Sequence, residues 1–245
     1  MKAVLLGATK GMGRALARAM AARGDRLFLL GRDEEDLARS AADLEIRGAS
    51  GKVGCARCDL LEAASFSPAL DRADAALEGF DTVVVSAGVF ATQEELEADP
   101  SRCDELLQTN FSGTLGFCEA ARKRLLARGG GTLCAFSSVA GDRGRKPVVL
   151  YGAAKAGLSH YFEGLDHRFR EQGLRAVLVK PGFVKTSMTA GLSPPPFAGQ
   201  PDRVAPVVLA AIDRGRPVVY VPRIWRWILL AIRLLPRAAM RRISF

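Results

Sequence analysis

The chain has 245 residues, 49% of them hydrophobic, enough for one large domain with a substantial core; no internal repeat, low-complexity segment or linker divides it. Its net charge of +9 would suit a nucleic-acid binder, but residues 1–213 hold 27 basic side chains against all 26 acidic ones, while eight Arg and no acid follow Asp213. The charge therefore belongs to the tail, which excludes an extended polar basic face for nucleic acid.

Met1-Lys2 leads into the apolar run Ala3–Leu6, which meets a glycine cluster where a secretion signal would carry a cleavage site, so it reads as a first strand and the protein as cytoplasmic. Gly7, Gly11 and Gly13 follow, with Ala8, Thr9, Lys10 and Met12 between them, and a helical pattern over Arg14–Ala22 comes next. In a strand-turn-helix setting, glycines let the backbone approach a pyrophosphate that the free N–H groups of the helix stabilise.

A second strand, Leu27–Leu30, ends at Gly31-Arg32-Asp33, and a helix is predicted over Glu34–Ile46. Where a carboxylate would hold the 2′-hydroxyl of NAD, Gly31 leaves room and Arg32 adds a cation; with Lys10 it suits a 2′-phosphate and points to NADPH/NADP+. Asp33 suits the N-cap of the following helix.

Strand signals continue at Val53–Cys58, Thr82–Val85, Leu133–Phe136, Ala176–Val179 and Val218–Val221, with helical periodicity over Cys103–Arg128 and Tyr151–Arg170. This alternation predicts an α/β fold: a single doubly wound Rossmann-fold domain over residues 1–222, with a seven-stranded parallel sheet and helices on both faces. Cys55-x-x-Cys58 has no second pair and its two side chains should face opposite sides of a strand, so neither metal nor disulfide use is expected. His160 and His167 are expected on a helix face without a ligand role.

Tyr151 and Lys155 stand four apart on the last of these helices, with Ser138 thirteen positions upstream of Tyr151. Residues at that spacing share a helix face, about 6 Å apart at Cβ. An ammonium there favours the phenolate and lowers the phenol pKa from about 10. A Ser hydroxyl from a strand end could hold a carbonyl oxygen against the phenol, the outline of a site for carbonyl reduction or alcohol oxidation. Tyr-x-x-x-Lys alone is weak; the glycine loop gives it weight.

The last segment, 223–245, is a C-terminal apolar and basic tail. Ile224–Leu235 is apolar except for Arg226 and Arg233, and on one helix these would align with Arg237 as a cationic stripe. Twelve helical residues reach about 18 Å, short of a ~30 Å hydrocarbon core, so the tail does not span a membrane. Trp225, Trp227 and the Arg side chains suit an anionic membrane surface; the alternative is packing on a second subunit or over the active site. Pro236 should break the helix, leaving Arg237–Phe245 as a second short basic segment.

Together, Gly7, Gly11 and Gly13, Asp59-Leu60, Ser86-Ala87-Gly88, Asn110, Ser137-Ser138, Tyr151 with Lys155, and the run Pro181-Gly182-Phe183-Val184-Lys185-Thr186 resemble the short-chain dehydrogenase/reductase family, to about Val221. The resemblance implies a catalytic tetrad of Asn110, Ser138, Tyr151 and Lys155. It places Asp59 and Leu60 at an adenine, Ala87, Gly88, Pro181, Gly182 and Val184 along the nicotinamide cofactor, and Thr186 on the carboxamide. It also implies a homo-oligomer.

Leu6 and Ser86 depart from the family's usual Thr and Asn, which should alter local hydrogen bonding and leave the chemistry intact. Residues Lys180–Phe197 and the tail look like the subgroup of decaprenylphosphoryl-2-keto-ribose reductase, which implies an apolar or lipid-linked ketone and a flap over Met188–Phe197. Two other readings are a catalytically inactive NADP(H)-binding sensor or scaffold, which has no need of four tetrad residues, and an enzyme for a small soluble carbonyl whose tail serves dimerisation.

Overall fold

The computed structural model describes residues 1–243. Seven strands, β1 (Lys2–Leu6), β2 (Arg26–Gly31), β3 (Gly54–Arg57), β4 (Thr82–Val85), β5 (Gly131–Phe136), β6 (Leu174–Pro181) and β7 (Val218–Val221), form one sheet in the order β3-β2-β1-β4-β5-β6-β7. Every pairing is parallel. Helices α1 (Gly11–Ala22), α2 (Glu34–Ile46) and α3 (Phe66–Leu77) precede β4; α4 (Gln93–Ala98), α5 (Ser101–Leu107) and α6 (Gly113–Ala127) separate it from β5. Then come α7 (Val149–Phe169), α8 (Pro201–Asp213), α9 (Trp225–Leu234) and α10 (Arg237–Arg242).

Strand alternation divides the core. Ala3, Leu5, Leu27 and Leu29 face one side, where they pack with Leu16, Met20, Val208 and Ile212 of α1 and α8. Val4, Leu6, Phe28 and Leu30 face the other side and meet Phe66, Phe117 and Phe162 of α3, α6 and α7. Each strand is therefore apolar on both faces, the pattern of a parallel sheet covered by two helix layers. Cys55 packs against the first cluster and Cys58 lies in the second, and all five cysteines are free.

Strand order reverses between β1 and β4, so the loops that leave their carboxyl ends diverge and open a crevice. The glycine loop and Ser86-Ala87-Gly88 line it. The predicted helix over 34–46 is found with those bounds, and Asp33 caps it by accepting from the Asp36 N–H at 2.9 Å.

The predicted helix over 103–128 differs in kind. It begins at Ser101 and changes to a π-turn over Gln108–Ser112 before α6 continues. Gly113 explains the close packing just beyond that turn, since a Cβ there would stand 2.1 Å from the Leu60 carbonyl oxygen.

The tail breaks at Pro236 as expected and departs from expectation in its charged stripe. Helix α9 ends at Leu234, and Pro236 separates it from α10, so Arg237 does not extend the stripe of Arg226 and Arg233. Ser244 and Phe245, the end of the expected second basic segment, lie outside the described residues. Leu229 is buried, the Trp225 ring fills the space beside Gly182, and Arg143 Nη2 donates to the Leu235 carbonyl at 2.7 Å. The tail thus lies across the carboxyl ends of β6 and β7, on the loop that follows Ser138. Among the described residues no helix is long and apolar enough to cross a membrane.

Candidate active site

The glycine loop is shaped by what cannot fit in it. Gly7 has φ +94°, and a Cβ there would lie 2.4 Å from the Ala87 nitrogen; a Cβ on Gly13 would lie 2.3 Å from the Gly7 carbonyl oxygen. Ser86 Oγ bonds the carbonyls of Leu6 and Gly7 at 3.2 and 3.1 Å. This hydroxyl ties β4 to the loop.

Gly11, Met12 and Gly13 form the first turn of α1, which no side chain caps, so its leading N–H groups face the crevice unclaimed by a side chain. Thr9 is half-buried, and Gly11 approaches the Thr186 side chain. Such a bare helix start beside a glycine cradle fits a pyrophosphate.

Lys10 and Arg32 are both exposed at this end. Lys10 Nζ is 3.1 Å from Asp36, and Arg32 is 3.9 Å from Glu105. Solvent-exposed pairs of this kind hold their cations only weakly. Asp59 accepts from the Leu61 N–H at 3.0 Å, while Leu60 is packed into the core beside Phe66. Pro181 ends β6, Gly182 follows it, and Val184 is buried in the first core cluster. Thr186 holds its turn through its N–H, donated to Thr189 Oγ1 at 3.0 Å.

The four tetrad residues converge. Asn110 sits in the π-turn with no exposed surface; its Nδ2 donates to the Val89 carbonyl at 2.7 Å and its Oδ1 accepts from the Val89 N–H at 3.1 Å. Gly88 lets Asn110 and Lys155 meet, because a Cβ there would fall 2.8 Å from Asn110 Oδ1 and 3.5 Å from Lys155 Nζ. Lys155 is buried and donates to the Phe136 carbonyl at 3.0 Å. Its Nζ stands 5.8 Å from the Tyr151 ring centre. Ser138, just past β5, accepts from the Ala140 N–H at 3.1 Å and hydrogen-bonds the Tyr151 phenol.

The electrostatics differ from the simple expectation. Burial pushes the Tyr151 phenol up to about 12, opposed by the Ser138 hydrogen bond and by the charge of Arg145. Burial brings the Lys155 ammonium down to about 8. Lys155 does not lower the phenol pKa here: its Nζ is turned to the Phe136 carbonyl, and desolvation disfavours the charged form of both groups. Burial thus favours the neutral, protonated phenol, a weaker acid than a free one. In the free protein Lys155 carries its charge below about pH 8 and loses it above. If that charge is required, kcat/KM for the cofactor, which reports on the free enzyme, is expected to fall on an alkaline limb centred near pH 8. A flat wild-type profile across that range would contradict the role of the ammonium, whereas Lys155→Arg, charged throughout, is expected to lose the limb.

Two neighbours, Arg145 and Phe90, escaped the sequence reading, and Ser137 was named there only within the Ser137-Ser138 motif. Arg145 lies in the polar stretch Gly144-Arg145-Lys146-Pro147, which carries no periodic signal, yet its charge acts on Tyr151. Phe90 meets the Tyr151 ring edge-on at 5.0 Å. Ser137 Oγ bonds the Lys155 carbonyl at 2.8 Å and anchors α7 to the end of β5.

Comparison with known proteins agrees with this geometry. The family model described as short chain dehydrogenase matches residues 1–196. An uncharacterised oxidoreductase of Mycobacterium tuberculosis (strain ATCC 25618 / H37Rv) is 33% identical over 239 residues, covering 98% of this chain and 95% of that protein. The 3-oxoacyl-[acyl-carrier-protein] reductase FabG of Escherichia coli (strain K12) is 28% identical, covering 87% of this chain and 82% of its own length. Among solved structures, a short-chain type dehydrogenase/reductase from Mycobacterium marinum superposes with a TM-score of 0.81 at 23% identity, covering 89% of this chain and 92% of that one. Actinorhodin polyketide ketoreductase with NADPH gives 0.80 at 22% identity, covering 89% and 94%. This chain belongs to the short-chain dehydrogenase/reductase family and is an NAD(P)-dependent oxidoreductase.

Proposed function

We propose that the protein is an NADPH-dependent reductase that turns an apolar or lipid-linked ketone into a secondary alcohol. The observation that carries this reading is the convergence of a buried Tyr151 with Ser138, Lys155 and Asn110 at the carboxyl ends of β4 and β5. NADPH supplies the hydride for the carbonyl carbon. The Ser138 hydroxyl holds the ketone oxygen, and Tyr151 gives that oxygen its proton as negative charge develops there. Lys155 would bind the ribose hydroxyls of the nicotinamide, and Asn110 would hold the water that reconnects Lys155 to solvent.

The preference for NADPH rests on Lys10 and Arg32, which are exposed, loosely paired and placed at the helix α1 and strand β2 ends. Arg32→Asp is expected to lower kcat/KM for NADPH by about tenfold or more while sparing NADH, as one charge-assisted phosphate contact is lost and a repulsion gained. An unchanged cofactor ratio would remove Arg32 from the 2′-phosphate site.

An apolar substrate is supported by Met188, Leu192 and Phe197, all exposed on the segment after Thr186 that would act as a flap. A membrane-surface role for the tail is supported by exposed Trp227, Leu230 and Leu234 among Arg side chains that no acid follows. Full-length protein is expected to co-sediment with anionic liposomes and a chain ending at Pro222 to remain in solution. Equal binding by both would sink the membrane assignment and leave the reductase reading intact. The buried position of Leu229 and the Arg143 bond to Leu235 also support the tail as a wall beside the active-site loop.

A further inference from the structure

A cavity of about 1130 Å³ lies away from the tetrad. It opens between α7, α8, the edge strand β7 and α9, and its wall carries Arg214, Arg216, Arg223, Arg226 and Arg233. We infer that this cavity is a second binding site that takes a phosphate-bearing ligand.

Pairing habits elsewhere in the molecule make the case. Arg18, Arg23, Arg39, Arg57, Arg124 and Arg128 each hold a carboxylate within 3 Å. None of the five cavity arginines forms an ion pair with a described residue. Arg226 lies over the Trp227 ring at 5.6 Å, and the charges of Arg233 and Arg226 both reach the Tyr220 phenol. Two carboxylates line the wall: Asp166 is held by Arg170 at 2.6 Å, which leaves Glu163 to answer the five arginines. Lys180, also in the wall, is already bound to Asp142, which Tyr220 contacts as well at 2.8 Å.

A cluster of like charges raises the energy of the protein until an anion meets it. Guanidinium forks match phosphate oxygens, and several forks around one concavity favour a group of two negative charges. The same wall has an apolar side in Trp227, Leu230, Val207 and Val218, all exposed. An anionic head on an apolar stem satisfies both parts. A membrane phospholipid and a soluble organic phosphate share that head-group chemistry.

This inference does not depend on the reduction of a ketone, and its test reads binding alone. Trp225 and Trp227 are the two Trp of the chain, so Trp225→Phe leaves the cavity Trp227 as a single fluorophore. Into that otherwise intact protein, without cofactor, inorganic phosphate, glycerol 3-phosphate, and phosphatidylcholine vesicles with and without phosphatidic acid are titrated. We expect a saturable change in Trp227 emission, with an apparent Kd raised about tenfold or more in Arg216→Gln/Arg233→Gln.

Lys10→Ala/Arg32→Asp, which strips the cations from the glycine loop, is expected to leave the response unchanged. Response to the soluble probes identifies a free phosphate as a sufficient ligand. Response to phosphatidic acid vesicles alone identifies a lipid head group. No response to any probe would overturn the inference, as would equal affinity in the Arg216/Arg233 variant or loss of response in the Lys10/Arg32 variant. A change of oligomeric state in the Arg216/Arg233 variant without a change in phosphate affinity would assign the arginines to a subunit contact and overturn it equally.

Discussion

Tyr151→Phe is expected to lower kcat by roughly 10²–10⁴-fold, the usual worth of a positioned general acid, with NADPH affinity and thermal stability near those of the wild type. The separation follows from where the hydroxyl sits. The Tyr151 ring packs edge-on against Phe90 at 5.0 Å and within a cluster that includes Leu96 and Ala154. Phe preserves all of that. The hydroxyl is held by Ser138, and that bond disappears together with the transferable proton. Cofactor titration and single-turnover kinetics on one preparation separate the two effects. A variant that keeps turnover within a few-fold of wild type would remove Tyr151 from proton transfer.

Gly7→Ala is expected to damage both fold and cofactor binding. Its φ of +94° is unfavourable for any residue with a Cβ, and the added atom would lie 2.4–2.9 Å from three atoms of Ala87, two of them backbone. Overpacking against backbone costs about 1–3 kcal/mol, and a strained φ costs about the same again. At roughly 2–4 °C per kcal/mol for a chain of this size, Tm should fall by about 4–24 °C. Cofactor affinity should fall at least about tenfold, because β1 and β4 must part where the pyrophosphate would sit. Gly191→Ala supplies the contrast: its φ is +87° but a Cβ there meets nothing within 4 Å, so only the backbone cost applies. Equal Tm losses in the two variants would refute the steric account of Gly7.

Much of this was legible in the chain because strand alternation, glycine spacing and the Tyr-x-x-x-Lys interval are local. All seven predicted strands exist, and β4 and β7 have the predicted bounds. The first helix begins at Gly11, three residues before the predicted Arg14, since glycines carry no helical pattern and are kept there for close approach to Ala87 and Ser86. The π-turn that carries Asn110 left no trace, as one widened turn hardly shifts a 3.6-residue period.

Properties of three-dimensional burial were invisible. Spacing alone implied that Lys155 lowers the Tyr151 pKa, whereas the Phe136 carbonyl that accepts its hydrogen bond lies nineteen positions away. Arg145 could not be assigned to the phenol from a polar loop sequence. The tail was recognisable as apolar and basic, but its attachment to Arg143 and Gly182 depends on where the sheet ends. Its arginines became one feature only when β7 and α8 brought Arg214 and Arg216 to the same cavity as Arg226 and Arg233.

The central claim is hydride delivery to a ketone that Tyr151 protonates. The direct measurement uses NADPH deuterated at both C4 positions with hydrophobic ketones, followed by mass analysis of the alcohol. The expected result is one deuterium on the carbinol carbon for each NADPH oxidised, and none with Tyr151→Phe over the same interval. Tight NADPH binding with all deuterium retained in the cofactor, across ketones that enter the cleft, would contradict the assignment and favour a protein that binds the nucleotide without turning it over.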